Sequence, residues 1–280
     1  MIINEQYENI EKIYRVPVTV IAPDGSRRTQ EKDVLYEHLM DVYINDHLTM
    51  KLVCVPEYLS ELVLGRMLTE GIIESCDDVE MIYICREGAR AKVLLKNQNK
   101  EKDNGVNAGS CELSSSGDFV ETTPTCCTGN HVLNDYFVHD KALKVSRGIN
   151  WKRQWVDTLI AEFRKDTPVH KSTSSTHSAY LMTDGVIRFV CEDIGRHNAV
   201  DKCIGYALRN DYDLSQCVLY TTGRVPTDMM EKVIRAGVPM LVSKEYPTRE
   251  AIELASKYGT VLIGNAKRDD IMVFNECIKK

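Results

Sequence analysis

The stretch EDIGRHNAVDKCIGYALRNDYDLSQCVLYTTGR, residues 192–224, decides the fold. It closes an apolar run from Val186 to Glu192, continues as a helix from about Asn198 to Leu208, and re-enters a short apolar run, read as a strand, at Cys217–Tyr220 before the loop TTGR. The same grammar continues downstream. A helix is predicted from about Thr227 to Ala236, ended by Gly237, followed by a strand at Val238–Val242 and a helix at Thr248–Tyr258. Strands at Thr260–Ile263 and Ile271–Phe274 complete the run. Upstream, strands Ala179–Met182 and Val186–Glu192 join at Asp184-Gly185, a hairpin signal. Before them come a polar loop, Lys171 to Thr176, and a helix over Trp151–Arg164 that sets Trp151, Trp155, Leu159 and Phe163 near helical spacing. Strand–helix alternation with short joins predicts a three-layer α/β domain over residues 151–280 with a largely parallel sheet.

Residues 1–115 read differently, as a smaller β-rich part with one helix, so the chain is α+β overall. Lys12–Ala22 and the segment to Tyr36 flank the turn Asp24-Gly25, and Val42–Ile44 and Leu48–Val55 flank Asn45-Asp46, giving two hairpins. Pro56 suits the first turn of a helix whose Leu59, Leu62, Val63 and Met67 share one face, with Gly71 as its cap. Strands Val79–Cys85 and Arg90–Leu95 flank Arg86-Glu87-Gly88. From Lys96 to Pro124 the chain is polar without a hydrophobic period, and residues 116–150 form a cysteine loop and linker between the two parts.

Composition narrows the function. At 280 residues the chain is long enough for one large or two ordinary domains. A net charge of -6 argues against a general nucleic-acid binder. No apolar run reaches membrane-spanning length, and the polar, acidic start MIINEQYENIEK is unlike a signal peptide. Ten scattered cysteines fit a cytoplasmic protein with reduced thiols.

Two features carry chemistry. The first is TTPTCCTG, residues 122–129, where Cys126 and Cys127 stand in a Gly- and Thr-rich segment. Consecutive Cα atoms lie about 3.8 Å apart, short of the usual disulfide range, so a thiolate nucleophile is the better use of this pair. The second is a set of three loops that follow strands: Glu192–Ala199, Thr221–Arg224 and Gly264–Asp270. Ligands of open α/β sheets bind beyond the carboxyl ends of the strands, and the first two loops also open helices, whose free N–H groups attract anions. Each loop carries a Gly for close backbone approach and an Arg that grips phosphate. The ligand this predicts is phosphorylated and nucleotide-like. Its candidate contacts are Gly195, Arg196, His197, Asn198, Thr222, Gly223, Arg224 and His177. The order of strand, His197-Asn198-Ala199 at a helix start, strand, loop and helix is that of the cytidine-deaminase scaffold. Ala199 stands where that scaffold carries its Glu, and the TTGRVP loop has no cysteine, so the expectation is deaminase-like architecture with no metal site, no zinc and no deamination.

The combined motifs identify a family. LVLGRMLTEGII (Leu62–Ile73), TTPTC (Thr122–Cys126), STHSAYL (Ser175–Leu181), EDIGRHNAVDK (Glu192–Lys202), TTGR and AGVP (Ala236–Pro239) together resemble the formate dehydrogenase accessory sulfurtransferases, the FdhD/NarQ family, over nearly the whole chain. That resemblance implies the cytidine-deaminase-like fold and an enzyme, a sulfurtransferase working through a cysteine persulfide. It implies that sulfur passes from a cysteine desulfurase to the molybdenum bis(molybdopterin guanine dinucleotide) cofactor destined for formate dehydrogenase or a similar molybdoenzyme. It further implies that Cys126 is the persulfide carrier; Cys127, extra to the family pattern, could substitute for it or assist. Asn265, Ala266, Lys267, Arg268, Asp269 and Asp270 match the family's cofactor-binding stretch, where the guanine nucleotide moiety is held, and a homodimer is expected. The family often shows C-x-x-C; here Gly129 falls at the second cysteine and Cys127 is extra, which weakens a two-cysteine relay. Three rival readings are a cofactor-binding chaperone that only escorts its cargo, a thiol redox switch using Cys126 and Cys127, and a zinc deaminase, which a metal assay showing no zinc would remove.

Overall fold

The computed structural model describes residues 1–96, 131–132 (backbone only) and 143–277. Cys126, Cys127 and most of the polar stretch from Lys96 to Pro124 lie outside the described residues.

The first sheet has the order β1-β6-β7-β4-β5-β8. Its strands are β1 (Ile2–Glu5), β4 (His38–Ile44), β5 (His47–Cys54), β6 (Val79–Ile84), β7 (Arg90–Leu95) and the short β8 (His131–Val132). Asn45 and Asp46 both take positive φ, 46° and 66°, as a tight hairpin turn between β4 and β5 requires. β2 (Ile13–Ile21) and β3 (Arg27–Leu35) form a separate two-stranded ribbon. The second sheet has the order β10-β9-β11-β12-β13-β14, built from β9 (His177–Thr183), β10 (Val186–Asp193), β11 (Cys217–Thr221), β12 (Met240–Ser243), β13 (Val261–Gly264) and β14 (Met272–Asn275).

This second sheet is mixed, which corrects the largely parallel expectation. Only β11–β12 and β12–β13 pair parallel; β10–β9, β9–β11 and β13–β14 are antiparallel. The Asp184-Gly185 turn joins β9 to β10 as a hairpin, and Asn265 at φ 55° starts the return into β14, so the helix-linked parallel strands are confined to the centre.

Period-two alternation divides the second sheet between two cores. Tyr180, Met182, Val218, Tyr220, Met240, Val242 and Val261 face α2 (Arg153–Phe163) through Val156, Leu159 and Ile160. Ala179, Leu181, Leu219, Leu241 and Leu262 face the other way, onto α4 (Arg196–Arg209), α5 (Thr227–Ala236) and α6 (Arg249–Tyr258). The result is a three-layer α/β arrangement. The short α3 (Pro168–Thr173) replaces part of the loop expected before His177, with Pro168 in its first turn.

α1 (Leu59–Thr69) joins the two sheets. It starts three residues after Pro56, from Tyr58 in the left-handed region. The expected single apolar face of Leu59, Leu62, Val63 and Met67 is too narrow a description, because every residue of α1 is buried. α1 lies between the first sheet and α4, and one apolar core runs from Met40 and Val93 through α1 to α4 and Leu262. The α1–α4 crossing is close enough to need two glycines. A Cβ on Gly65 would stand 1.9 Å from the Asp201 carbonyl oxygen, and one on Gly205 would stand 1.8 Å from that of Glu61. Beside this contact, buried Arg66 reaches Asp201 at 3.6 Å and Glu70 at 2.9 Å. Lys232 of α5 and the Thr69 hydroxyl close on the same Asp201 carboxylate.

Candidate functional site

β10, β11 and β12 deliver their carboxyl ends, and antiparallel β9 its first residue, to one edge of the second sheet. An open cavity of about 820 Å³ lies there, lined by α2's last turn, α3, the start of β9 and the loops after β10, β11 and β12. The TTGR loop is fixed to β9: Thr222 Oγ1 accepts from the Ser178 N–H at 3.0 Å, and the Thr222 N–H donates to the Ser178 carbonyl at 3.0 Å. Ser243 Oγ donates to the Gly223 carbonyl at 2.8 Å, tying this loop to the end of β12. Gly223 is there because Arg196 crosses it. A Cβ at Gly223 would stand 2.6 Å from Arg196 Cδ and 2.7 Å from Arg196 Cβ, so no larger residue leaves that arginine its course along the cavity wall.

The lining is cationic. Arg164, Arg196, Arg224 and Lys244 outnumber the carboxylates Asp166 and Glu245. Both carboxylates are engaged: Asp166 Oδ1 lies 2.8 Å from His170 Nδ1, and Glu245 lies 3.0 Å from Lys267 Nζ. Lys244 Nζ sits 5.3 Å over the Phe163 ring, a cation–π contact that holds a flat aromatic face at the wall. Burial lowers the His177 pKa from its ordinary value, and Arg196 and Lys244 lower it further, so this imidazole is neutral at neutral pH. Its Nδ1 lies 3.4 Å from Thr222 Oγ1. The wall therefore combines fixed positive charge, hydroxyls and a neutral imidazole, a chemistry suited to an anion of nucleotide size.

Of the residues expected at the site, His177, Arg196, Thr222, Gly223 and Arg224 line this cavity. The others do not. Gly195 is the N-cap of α4, and its N–H donates to Asp193 Oδ1 at 3.2 Å. His197 is fully buried and turns to α5, with Nε2 3.0 Å from Asp228 Oδ2. Burial pushes the Asp228 pKa up, but the contact with His197, the Met229 N–H and the charge of Arg196 together more than reverse this, so the carboxyl ends below its ordinary value. Asn198 is also buried and donates to the Val53 carbonyl and to Asp193 Oδ1, at 2.8 and 2.9 Å. In the third loop Ala266 is buried, its carbonyl accepting from Tyr220 Oη at 2.9 Å. Asn265 turns that loop in the left-handed region, and its side-chain N–H donates to the Asp270 carbonyl. Lys267 and Asp269 touch the cavity only through lining partners, Glu245 and Arg164 respectively. Arg268 is exposed and outside the lining.

Sequence reasoning missed Arg164, Lys244, Phe163 and the Asp166–His170 pair. Lys244 was findable, since it directly follows the β12 run and so obeys the same strand-end rule as the other loops. Arg164 carries no such signal, because a cation ending an amphipathic helix is ordinary. Among the described residues no group of three or more His, Cys, Asp or Glu is placed to hold a metal ion. None of their helices is long and apolar enough to cross a membrane.

Fold and site define a two-sheet α/β protein with an open cationic cavity at the carboxyl edge of its second sheet. The chain belongs to the FdhD/NarQ family, whose model matches residues 35–278. A sulfur carrier protein FdhD of Listeria monocytogenes serotype 4b is 27% identical over 254 residues, covering 90% of this chain and 92% of its own. The sulfur carrier protein FdhD of Geobacillus kaustophilus is 29% identical over 237 residues, 84% of this chain and 85% of its own. A crystal structure described as a putative formate dehydrogenase accessory protein from Desulfotalea psychrophila superposes with a TM-score of 0.70 at 23% identity. It covers 95% of this chain and 97% of its own, a likeness of fold.

Proposed function

We propose that this protein is a sulfur carrier in the maturation of formate dehydrogenase or a similar molybdoenzyme, working as a sulfurtransferase. The cationic cavity is the observation that carries the reading: a chain whose relatives are named sulfur carriers has, beyond its cysteine loop, a wall suited to phosphates. Cys126 is the carrier. Its thiolate attacks the outer sulfur of a cysteine desulfurase persulfide, the donor S–S bond breaks, and the donor cysteine leaves as thiolate. The sulfur moves at constant oxidation level and needs no oxidant. The acceptor, and so the substrate of the transfer, is the molybdenum bis(molybdopterin guanine dinucleotide) cofactor. Arg196, Arg224, Lys244 and Arg164 would hold its diphosphates, and the Phe163 face offers a surface for a guanine ring.

The test is intact and peptide mass spectrometry after incubation with a cysteine desulfurase and cysteine, using wild type, Cys126→Ala and Cys127→Ala. One reductant-sensitive sulfur on Cys126, absent only from Cys126→Ala, is the expected result. Sulfur on Cys127 instead moves the carrier. Sulfur on neither, with guanine-nucleotide binding intact, replaces this reading with that of an escort, which needs the cavity and neither cysteine.

A further inference from the structure

We propose that an anion entering this cavity is taken up together with a proton, held on the His177 imidazole, so that occupancy of the site is linked to pH. The inference rests on the reading that the cavity takes a phosphorylated ligand.

The argument starts from what surrounds His177. Arg196 and the buried His197 approach from α4, Lys244 from the loop after β12 and His170 from α3; all four oppose a positive charge on the ring. Arg224 and Arg164 line the same cavity. Among the described residues, the carboxylates of the neighbouring elements all have other partners, and Glu245 also lies 3.9 Å from Lys244. Glu192 accepts from the N–H groups of Val169 and His170, at 2.8 and 2.9 Å, and from Thr176 Oγ1. Asp193, opposite His177 in the β9–β10 ladder, is held by Lys202 at 2.6 Å. Asp166 pairs with His170, Glu245 with Lys267, and Asp228 with His197. Among the described residues, a half-buried imidazole therefore sits in a cationic wall with Thr222 Oγ1 as its ring partner and no carboxylate hydrogen-bonded to it.

An anion among these cations reverses that field. It screens Arg196 and Lys244 from the ring and supplies the acceptor that protonated His177 lacks. The His177 pKa, depressed in the empty cavity, rises when the anion is bound. Binding then takes up a proton between the two values, and affinity increases as pH falls through that window, by up to about tenfold per pH unit. Below the lower value both states are protonated and the dependence flattens. Above the upper value both are neutral and no proton moves.

Calorimetry tests this. The probe is diguanosine diphosphate, two guanosines joined through their phosphates. It has no monoester proton, unlike GDP, whose terminal phosphate titrates near pH ~6. Binding heats measured at neutral pH in two buffers of unlike ionisation enthalpy report the protons taken up. The expected result is a net uptake of a sizeable fraction of one proton in wild type, lost in His177→Gln but kept in His47→Gln, a change at the exposed β4–β5 turn of the first sheet, with the probe still bound. As a check that does not depend on the variant folding, the His177 imidazole resonance of the wild type should titrate at a higher pH with probe than without. Probe binding with no proton uptake, uptake unchanged in His177→Gln, or a His177 midpoint unmoved by probe overturns the proposal and leaves the anion site standing. Failure of the wild type to bind the probe overturns the ligand reading and the proposal with it.

Discussion

Replacing Gly205 by alanine tests whether the α1–α4 contact organises the molecule. In an isolated helix this change stabilises by about 1 kcal/mol, because alanine loses less backbone freedom. Here the new Cβ would lie 1.8 Å from the Glu61 carbonyl oxygen and 2.6 Å from its carbonyl carbon. Both atoms belong to helix backbone, so no side chain can rotate away, and the two helices must part by more than an ångström. Overpacking of a close-packed core costs about 1–3 kcal/mol, and a backbone-to-backbone clash belongs at the top of that range. Separation also stretches the contact of Thr69 Oγ1 on α1 with Asp201 on α4, 2.8 Å, a hydrogen bond to a charged group worth about 1.5–3 kcal/mol. The net expectation is a loss of about 3 kcal/mol or more, lowering Tm by about 6–12 °C for a chain of this size. Urea and thermal unfolding followed by circular dichroism measure it. Unchanged or increased stability would mean that free-helix propensity governs this position and that the crossing is not the joint described. Gly65→Ala should behave alike, and the double variant should lose less than the sum, since the first change has already parted the helices.

Gly223→Ala should weaken binding of diguanosine diphosphate by about tenfold, roughly the worth of one charge-assisted contact, because its Cβ displaces Arg196 from the cavity wall. In an Arg196→Ala background most of that effect should vanish; equal losses in both backgrounds would refute the positioning role. Lys202→Met should destabilise by about 3–5 kcal/mol in urea unfolding, since it leaves the fully buried Asp193 carboxylate without its cation. Burial alone would push the Lys202 pKa down, but Asp193, with the nearby Cys54 and Cys191, more than reverses this, so the ammonium stays charged in the core. A near-neutral Lys202→Met would show that Asp193 is satisfied by the Val55 and Gly195 N–H groups and Asn198 alone.

Much of the architecture was legible in the chain because it rests on local rules. Short apolar runs marked β4 to β7 and β9 to β13, and Asp-Gly or Asn-Asp pairs marked the hairpins, since such residues readily take the positive φ seen at Asn45, Asp46 and Asp184. The strand-end rule likewise located Arg196, Thr222, Gly223 and Arg224 at one edge of the sheet. The roles inside the recognisable motifs were not legible. EDIGRHNAVDK reads as a ligand loop, yet Ile194 and Arg196 are its only residues in the cavity wall. Glu192 caps α3, Asp193 and Lys202 bind the Val55 backbone, Asn198 binds Val53, and Asp201 meets Arg66 of LVLGRMLTEGII. The two motifs are thus largely complementary halves of one joint. Each successive helical residue turns about 100°, so neighbours such as Arg196, His197 and Asn198 face different partners. Which partner each one meets depends on elements elsewhere in the chain: the loop at Gly223 for Arg196, α5 for His197 and β5 for Asn198. The sequence by itself determined the elements and the edge where a ligand belongs. The tertiary structure decided which side chains reach that edge, adding Arg164 and Lys244 and withdrawing His197 and Asn198, because orientation about a helix axis is fixed by packing and not by local pattern.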